Sequence, residues 1–235
     1  MIWMRYSLLV NTSTDSIAKN GISFVILRQP CSSDKTEHFI SMTTKDDATA
    51  YVISAAKEMV DIVDEENNVI GPQRRDLMRG ENLRHRATYA FIQDSSGYFL
   101  VQKRSALKDY CPGYWDPTPG GVVAAGESYE VTNRREVEEE MGIPSSTPME
   151  HLFTFFYEDQ RVKCFGDCWE MHYDGAIKLQ VTEVDEVEKM SMQEILTRAE
   201  NGELFTADSM AACRQYVQMK GCPPVTGEKT PVLLA

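Results

Sequence analysis

Short apolar runs broken by turn-forming residues set the first expectations along this chain. "MVDIVDE" and "NVIGPQ" flank the turn-like "EENN", and "RATYAFIQ" and "GYFLVQKR" flank "DSSG", so two strand pairs are predicted here. "HLFTFFYE" and "CWEMHYDG" predict further strands, followed by the acidic "TEVDEVEK". Helical spacing is found in "ATAYVISAAKEMV", in "DSMAACRQYVQMK" and in "SMQEILTRAENG". In the last of these, Ser191 takes the N-cap, Glu194 the capping-box position and Gly202 the close. Nearer the start, "ISFVILRQP" is strand-like, and from Gly221 the Pro, Gly and Thr content predicts a loose tail. The chain is therefore expected to comprise an extension over 1–57, a main domain over 58–220 and a flexible tail over 221–235.

The segment between the strand groups is of another kind. "CPGYWDPTPGG" is too dense in Pro and Gly for regular structure and must present its backbone in a specific bend. It runs directly into "GVVAAGESYEVTNRREVEEEMGI", Gly121 to Ile143, which predicts a helix crowded with glutamates. At about 100° per residue, with Glu136 at zero, Glu139 falls near about −60° and Glu140 near about +40°, so three carboxylates share one face. Such like charges repel by a few tenths of a kcal/mol per pair, so the face needs either water or a cation. Glu138 lies elsewhere and is expected to pair with Arg134, while Val131, Val137 and Met141 occupy the opposite arc and are expected to face a core.

Composition narrows the field. The 235 residues, 42% hydrophobic and 26% charged, are ordinary for a globular chain with a sizeable core. A net charge of −12 argues against a nucleic-acid polymer or an anionic membrane as partner, but leaves room for a small anion escorted by a metal. No apolar run reaches the roughly 18 to 20 residues of a membrane span, so a cytoplasmic protein is expected. Arg5 and Lys19 against Asp15 among Ser and Thr leave organelle targeting open. The first fifty-odd residues leave three roles open: an added strand, a contact in a homodimer, or a targeting signal. The cysteines, at 31, 111, 164, 168, 213 and 222, are too sparse for a disulfide scaffold and read as free thiols. Cys164 and Cys168 lack the second pair that a zinc site needs.

Gly121, Glu127, Arg135, Glu136, Glu139, Glu140 and Gly142 fit the spacing G-x5-E-x7-R-E-U-x-E-E-x-G-U, with Val137 and Ile143 at the aliphatic positions. That pattern is the Nudix box, and the chain resembles the Nudix hydrolase family. The resemblance implies an α/β fold, an α/β/α sandwich around a mixed sheet. It also implies metal-dependent hydrolysis of a nucleoside diphosphate linked to another moiety. Carried over to this sequence, it makes Glu136, Glu139, Glu140 and the carbonyl of Gly120 ligands of Mg2+ or Mn2+. Arg135 then orients Glu136, and Glu127 supports the loop and helix. Hard oxygen donors of this kind suit magnesium beside a diphosphate. For the base that takes the proton of the attacking water the family pattern leaves Glu139 and Glu183, with Asp185 and Glu186 as rivals of the latter.

Over about residues 58–217 the chain also resembles the branch that includes isopentenyl diphosphate isomerases. Pro119 and Gly121 stand where those enzymes need a thiol and an imidazole, so isomerisation by that chemistry is not expected, and His85 reads as an ordinary strand residue. A binding module that holds a nucleotide without turnover is the remaining alternative. For a small-molecule diphosphate substrate, Lys103 and Arg104 are candidate phosphate contacts. Tyr114 and Trp115 are candidates to stack on a base, although Trp115 equally suits a plug between loop and core.

Overall fold

The computed structural model describes residues 14–19, 22–27 and 45–235, with side chains from residue 48 onward. The chain divides into two compact units, Met1–Asp47 and Ala48–Ala235. In the first, β1 (Thr14–Lys19) and β2 (Ile22–Leu27) form an antiparallel pair. Arg5 and Cys31 lie outside the described residues. The expected helix in "ATAYVISAAKEMV" is α1 (Lys45–Lys57), and it ends where the β-branched run of β3 (Met59–Val63) joins a sheet.

The second unit is built on one mixed sheet. β3 turns through residues 64–68 into β4 (Val69–Arg74), and α2 (Arg75–Gly80) leads to β5 (His85–Gln93) and β6 (Phe99–Arg104). The short β7 (Trp115–Asp116) precedes α3 (Tyr129–Met141), and β8 (Met149–Glu158) and β9 (Lys163–His172) form a hairpin. β10 (Val184–Met190), α4 (Met192–Glu200) and α5 (Ala207–Lys220) follow. The helix predicted from "SMQEILTRAENG" is α4, with Ser191 Oγ accepting from the Glu194 N–H at 3.1 Å.

β5 is the axis. It runs parallel to β9 along its whole length, from His85 opposite Cys164 to Gln93 opposite His172. On its other side β3 and β6 each meet it at one register position, Ile62 with His85 and Gln93 with Phe99. The β5–β6 pairing expected from sequence is thus reduced to its turn, because the Pro/Gly segment occupies the space between. Thr88 N–H donates to the Gly121 carbonyl at 2.8 Å, Ala90 N–H to that of Pro119 at 2.8 Å, and Val123 N–H to that of Arg86 at 2.9 Å. The bend is therefore pinned inside the sheet.

Period-two alternation on β5 splits the core. Tyr89 and Phe91 pack with Ile195, Met210 and Tyr216 of α4 and α5, whereas Ala90 and Ile92 pack with Val137 and Met141 of α3. This gives α/β/α layering, with α3 anchored by two apolar side chains each contributing about 1.5–3 kcal/mol. Two expectations about α3 are corrected. Val131 is 54% exposed, and Thr132 and Asn133 are buried in its stead. Arg134 pairs with Glu130 at 3.0 Å rather than with Glu138, because its Nη1 is drawn to the carbonyls of Ser145 and Thr147 beyond the helix end.

The tail is also corrected. Ile177 and Leu234 form a parallel bridge, Thr226 N–H donates to the Ser96 carbonyl at 2.9 Å, and Lys229 Nζ reaches Glu188 at 3.0 Å and Glu194 at 3.2 Å. Val232 packs against the α3-side core. The Pro and Gly residues suit an extended strap as well as a loose end, and backbone partners at Ser96 and Ile177 decide for the strap.

Candidate active site

The glutamate face is assembled by a helix with sound ends. Ser128 Oγ accepts from the Val131 N–H at 3.3 Å, and Gly142, in the left-handed region at φ 67°, closes the helix with its N–H on the Glu138 carbonyl. The bend pinned to β5 brings Gly120 and Gly121 against this face. A Cβ on Gly120 would lie 2.1 Å from the Thr88 carbonyl oxygen, and one on Gly121 would lie 2.6 Å from the Glu136 carboxyl carbon. Only glycine lets backbone and carboxylate approach this closely.

Glu136, Glu140 and Glu183 each place a carboxylate oxygen within 4.8 Å of the others. Glu183 stands just ahead of β10. Glu140 is fully buried and accepts from Gln102 Nε2 at 3.0 Å, Lys108 Nζ at 3.2 Å and the Gly120 N–H at 3.4 Å. Burial pushes its carboxyl up to about 8, against the pull of Lys108. Burial likewise raises Glu136, opposed by Arg135. At Glu183 burial also acts upward, but the ammonium of Lys108 in direct contact holds the group below its usual range.

Arg135 ties the rest of the motif together. Its Nη1 lies 2.9 Å from Glu136 Oε1 and 3.0 Å from Glu139 Oε2, and its Nη2 lies 3.3 Å from Glu127 Oε2. Glu127 also accepts from Thr132 Oγ1 at 2.6 Å; that hydrogen bond, with Arg135 adding to it against a burial effect, keeps its carboxyl low. Glu139 therefore stands at the wall of the cavity but outside the three-carboxylate cluster. Asp185 and Glu186, on β10, do not line the cavity.

The cluster opens into a cavity whose walls also include Tyr51, Arg75, Arg79, Lys108 and Asp208. Of the candidate substrate contacts only Arg104 lines it, and its guanidinium is already engaged with Asp116 at 3.2 Å and the Tyr110 carbonyl at 3.0 Å. Lys103 is turned over the Trp115 ring, 5.5 Å from its centre, and Trp115 is buried with Arg198 also over it at 5.3 Å, so the plug reading of Trp115 fits its place. Tyr114 lines a separate open groove with Tyr110 and Arg161. His85 is buried at the start of β5 and lines the cavity.

Several groups at the cavity carried no sequence signal strong enough to name them. Lys108 lies in the irregular "SALKDY", and Arg75 and Arg79 lie on the short α2. Tyr51 of α1 lines the same cavity, and burial together with the charge of Glu183 drives its phenol far above the usual range. Tyr51 and Ala55, from the segment expected to be an extension, thus line the cavity.

All three donors are hard carboxylate oxygens set closely enough to share one divalent cation, and the ammonium of Lys108 already occupies the role of a counter-cation there. The cysteines offer no rival metal set: the described ones, Cys111, Cys164, Cys168, Cys213 and Cys222, are free thiols, buried except for Cys222. No helix among the described residues is long and apolar enough to cross a membrane.

The NUDIX domain model matches residues 83–212. The chain is 44% identical over 159 residues to an uncharacterised Nudix hydrolase of Yersinia pestis, covering 68% of this chain and 85% of that protein. It is 43% identical over 164 residues to the uncharacterised Nudix hydrolase YfcD of Escherichia coli K12, covering 70% and 89% respectively. Among solved structures, DR0079 from Deinococcus radiodurans is similar with a TM-score of 0.60 and 27% identity, covering 67% of this chain and 98% of that one. These similarities do not confirm the isopentenyl diphosphate isomerase branch.

Proposed function

The chain belongs to the Nudix hydrolase family and is a hydrolase of diphosphate bonds, and from that premise we propose a Mg2+- or Mn2+-dependent pyrophosphohydrolase acting on a nucleoside diphosphate linked to another moiety. The observation that carries the metal dependence is the set of Glu136, Glu140 and Glu183 oxygens within 4.8 Å of one another beside Gly120.

These three carboxylates would hold the cation, with the Gly120 backbone adjoining them. When bound it supplies neutralisation of the phosphate oxygens and a more acidic attacking water. The chain's own groups do the rest. Arg135 fixes Glu136 and Glu139 in place, and Glu127, braced by Thr132, holds the far side of that guanidinium. Glu139, its carboxylate free of the cluster, is the base that takes the water's proton, and Glu183 is the alternative. Arg104 supports the cavity floor through Asp116, which leaves Lys103 and Trp115 without a substrate role in this scheme.

A panel of nucleoside diphosphate derivatives, assayed with Mg2+, with Mn2+ and with chelator, tests this. Release of phosphomonoester only in the presence of the cation is expected. A folded protein that cleaves no member of the panel at any pH would overturn the reading.

A further inference from the structure

α2 carries Arg75 and Arg79 four residues apart, and both line the cavity that holds the carboxylate cluster. Both lie upstream of the segment matched by the family model. Their situations differ. Arg75 is fully engaged: Nε and Nη2 donate to the two oxygens of Asp109 at 2.8 and 3.2 Å, and Nη1 to Glu58 at 3.2 Å. Arg79 has what remains. Its Nε lies 3.6 Å from Asp109 Oδ2, the oxygen that Arg75 Nε already holds, and its Nε and Nη1 are buried without a hydrogen-bond acceptor.

A buried guanidinium in this state is costly unless some function retains it. Its surroundings do not compensate. The Tyr110 ring lies under it at 5.0 Å, a modest attraction. Asp208 accepts from the hydroxyls of Tyr89 at 2.8 Å and Tyr110 at 3.2 Å and forms no hydrogen bond with Arg79. His85 brings no negative charge: its Nδ1 must donate to the Leu83 carbonyl at 2.9 Å, and burial with Arg79 nearby keeps the ring neutral down to about pH 3. The planar fork of an arginine with free N–H groups is the geometry that takes two oxygens of a phosphate.

We propose that Arg79, held in place beside Arg75, is a phosphate-binding residue that receives non-bridging oxygens of a phosphoryl group of the substrate in the cavity of Glu136, Glu140 and Glu183. This rests on the diphosphate-hydrolase reading and gives the cavity two chemically distinct walls. Carboxylates on α3 and before β10 take the cation, and a guanidinium on α2 takes the anion directly. It also assigns substrate recognition to α2 instead of the Lys103 and Trp115 expected from sequence.

The test uses the full chain and inorganic pyrophosphate as probe, by calorimetry with Mg2+ and separately with EDTA. Arg79→Met should weaken pyrophosphate at least tenfold in both buffers, Arg79→Lys should fall between it and the unmodified chain, and the exposed control Arg214→Ala should change nothing. Because Met replaces an unsatisfied buried charge by an apolar group, Arg79→Met should also raise the ligand-free Tm while abolishing the rise produced by pyrophosphate. Unchanged affinity in Arg79→Met, or no pyrophosphate binding by the unmodified chain in either buffer, overturns the proposal. A drop in ligand-free Tm with affinity retained assigns Arg79 a purely structural role and overturns it as well. The binding readout needs no turnover, so pyrophosphate held through Arg79 by a chain that cleaves no diphosphate would sink the hydrolase reading alone.

Discussion

Arg135 Nη1 lies 3.0 Å from Glu139 Oε2 and 2.9 Å from Glu136 Oε1, so one nitrogen links Glu139, which lies outside the cluster of Glu136, Glu140 and Glu183, to a member of it. Two glutamates adjacent in sequence therefore have different surroundings, one half-exposed at the cavity wall and one fully buried under Lys108 and Gln102.

Their conservative variants should separate. Glu139→Gln is expected to lower kcat by about 10²–10⁴, the range for loss of a general base, with divalent-cation affinity within about threefold of the unmodified chain. Glu140→Gln is expected to weaken the cation at least tenfold and to lower turnover with it. Mn2+ titration alongside steady-state kinetics reads both. If Glu139→Gln loses as much cation affinity as Glu140→Gln, Glu139 is a ligand after all.

Lys108 reports on the same cluster from the opposite sign. Its ammonium is all but buried between Glu140 and Glu183, so Lys108→Met leaves two close carboxylates facing each other. Loss of one partner from a buried charge network costs about 3–5 kcal/mol, and that cost should appear in the metal-free protein. Saturating Mg2+ or Mn2+ should recover most of it, because the cation replaces the missing positive charge. Urea unfolding with and without the cation measures the difference; equal destabilisation in both buffers would mean that no ion binds at these carboxylates.

How much of this was legible follows from the range over which each signal acts. The capping of α4 by Ser191 is local, and the sequence displays it. The Nudix spacing identified the family because helix and loop must meet at fixed intervals. The placing of Lys108, Tyr51, Arg75 and Arg79 is different in kind. Each reaches the cavity through tertiary packing of an element whose own pattern is unremarkable, so no periodicity marks it. Val131 and the tail misled for the same reason: the arc of α3 and the Pro/Gly content of 221–235 are compatible with two environments, and partners distant in sequence choose between them.

The two glycines of the bend should fail differently when given a methyl group. Gly120 sits at φ 155° with the Thr88 carbonyl in the path of a Cβ, so Gly120→Ala must push the bend off β5. A loss of about 3 kcal/mol or more in stability is expected from the clash and backbone strain combined. Gly121→Ala meets the carboxylate of Glu136, a side chain that can move. It should fold, with unfolding free energy within about 1.5 kcal/mol of the unmodified chain and cation affinity reduced at least tenfold. Should Gly121→Ala retain full cation affinity, Glu136 is not a ligand.

His85 gives a pH signature that is independent of the metal. Burial first, and the charge of Arg79 second, lower its pKa from 6.5 to about 3, although the hydrogen bond to the Leu83 carbonyl acts the other way. Above pH 6.5 the ring is neutral in both folded and unfolded chains, and its contribution to stability is fully present. As pH falls from there toward 3 the unfolded chain takes up a proton that the folded chain refuses, so stability is lost at up to about 1.4 kcal/mol per pH unit. His85→Asn keeps a donor for the Leu83 carbonyl and removes the titration, so its stability should decline less steeply over this window. Urea midpoints at pH 7, 6 and 5 for both proteins check it, and parallel declines would mean that another group sets the acid limb.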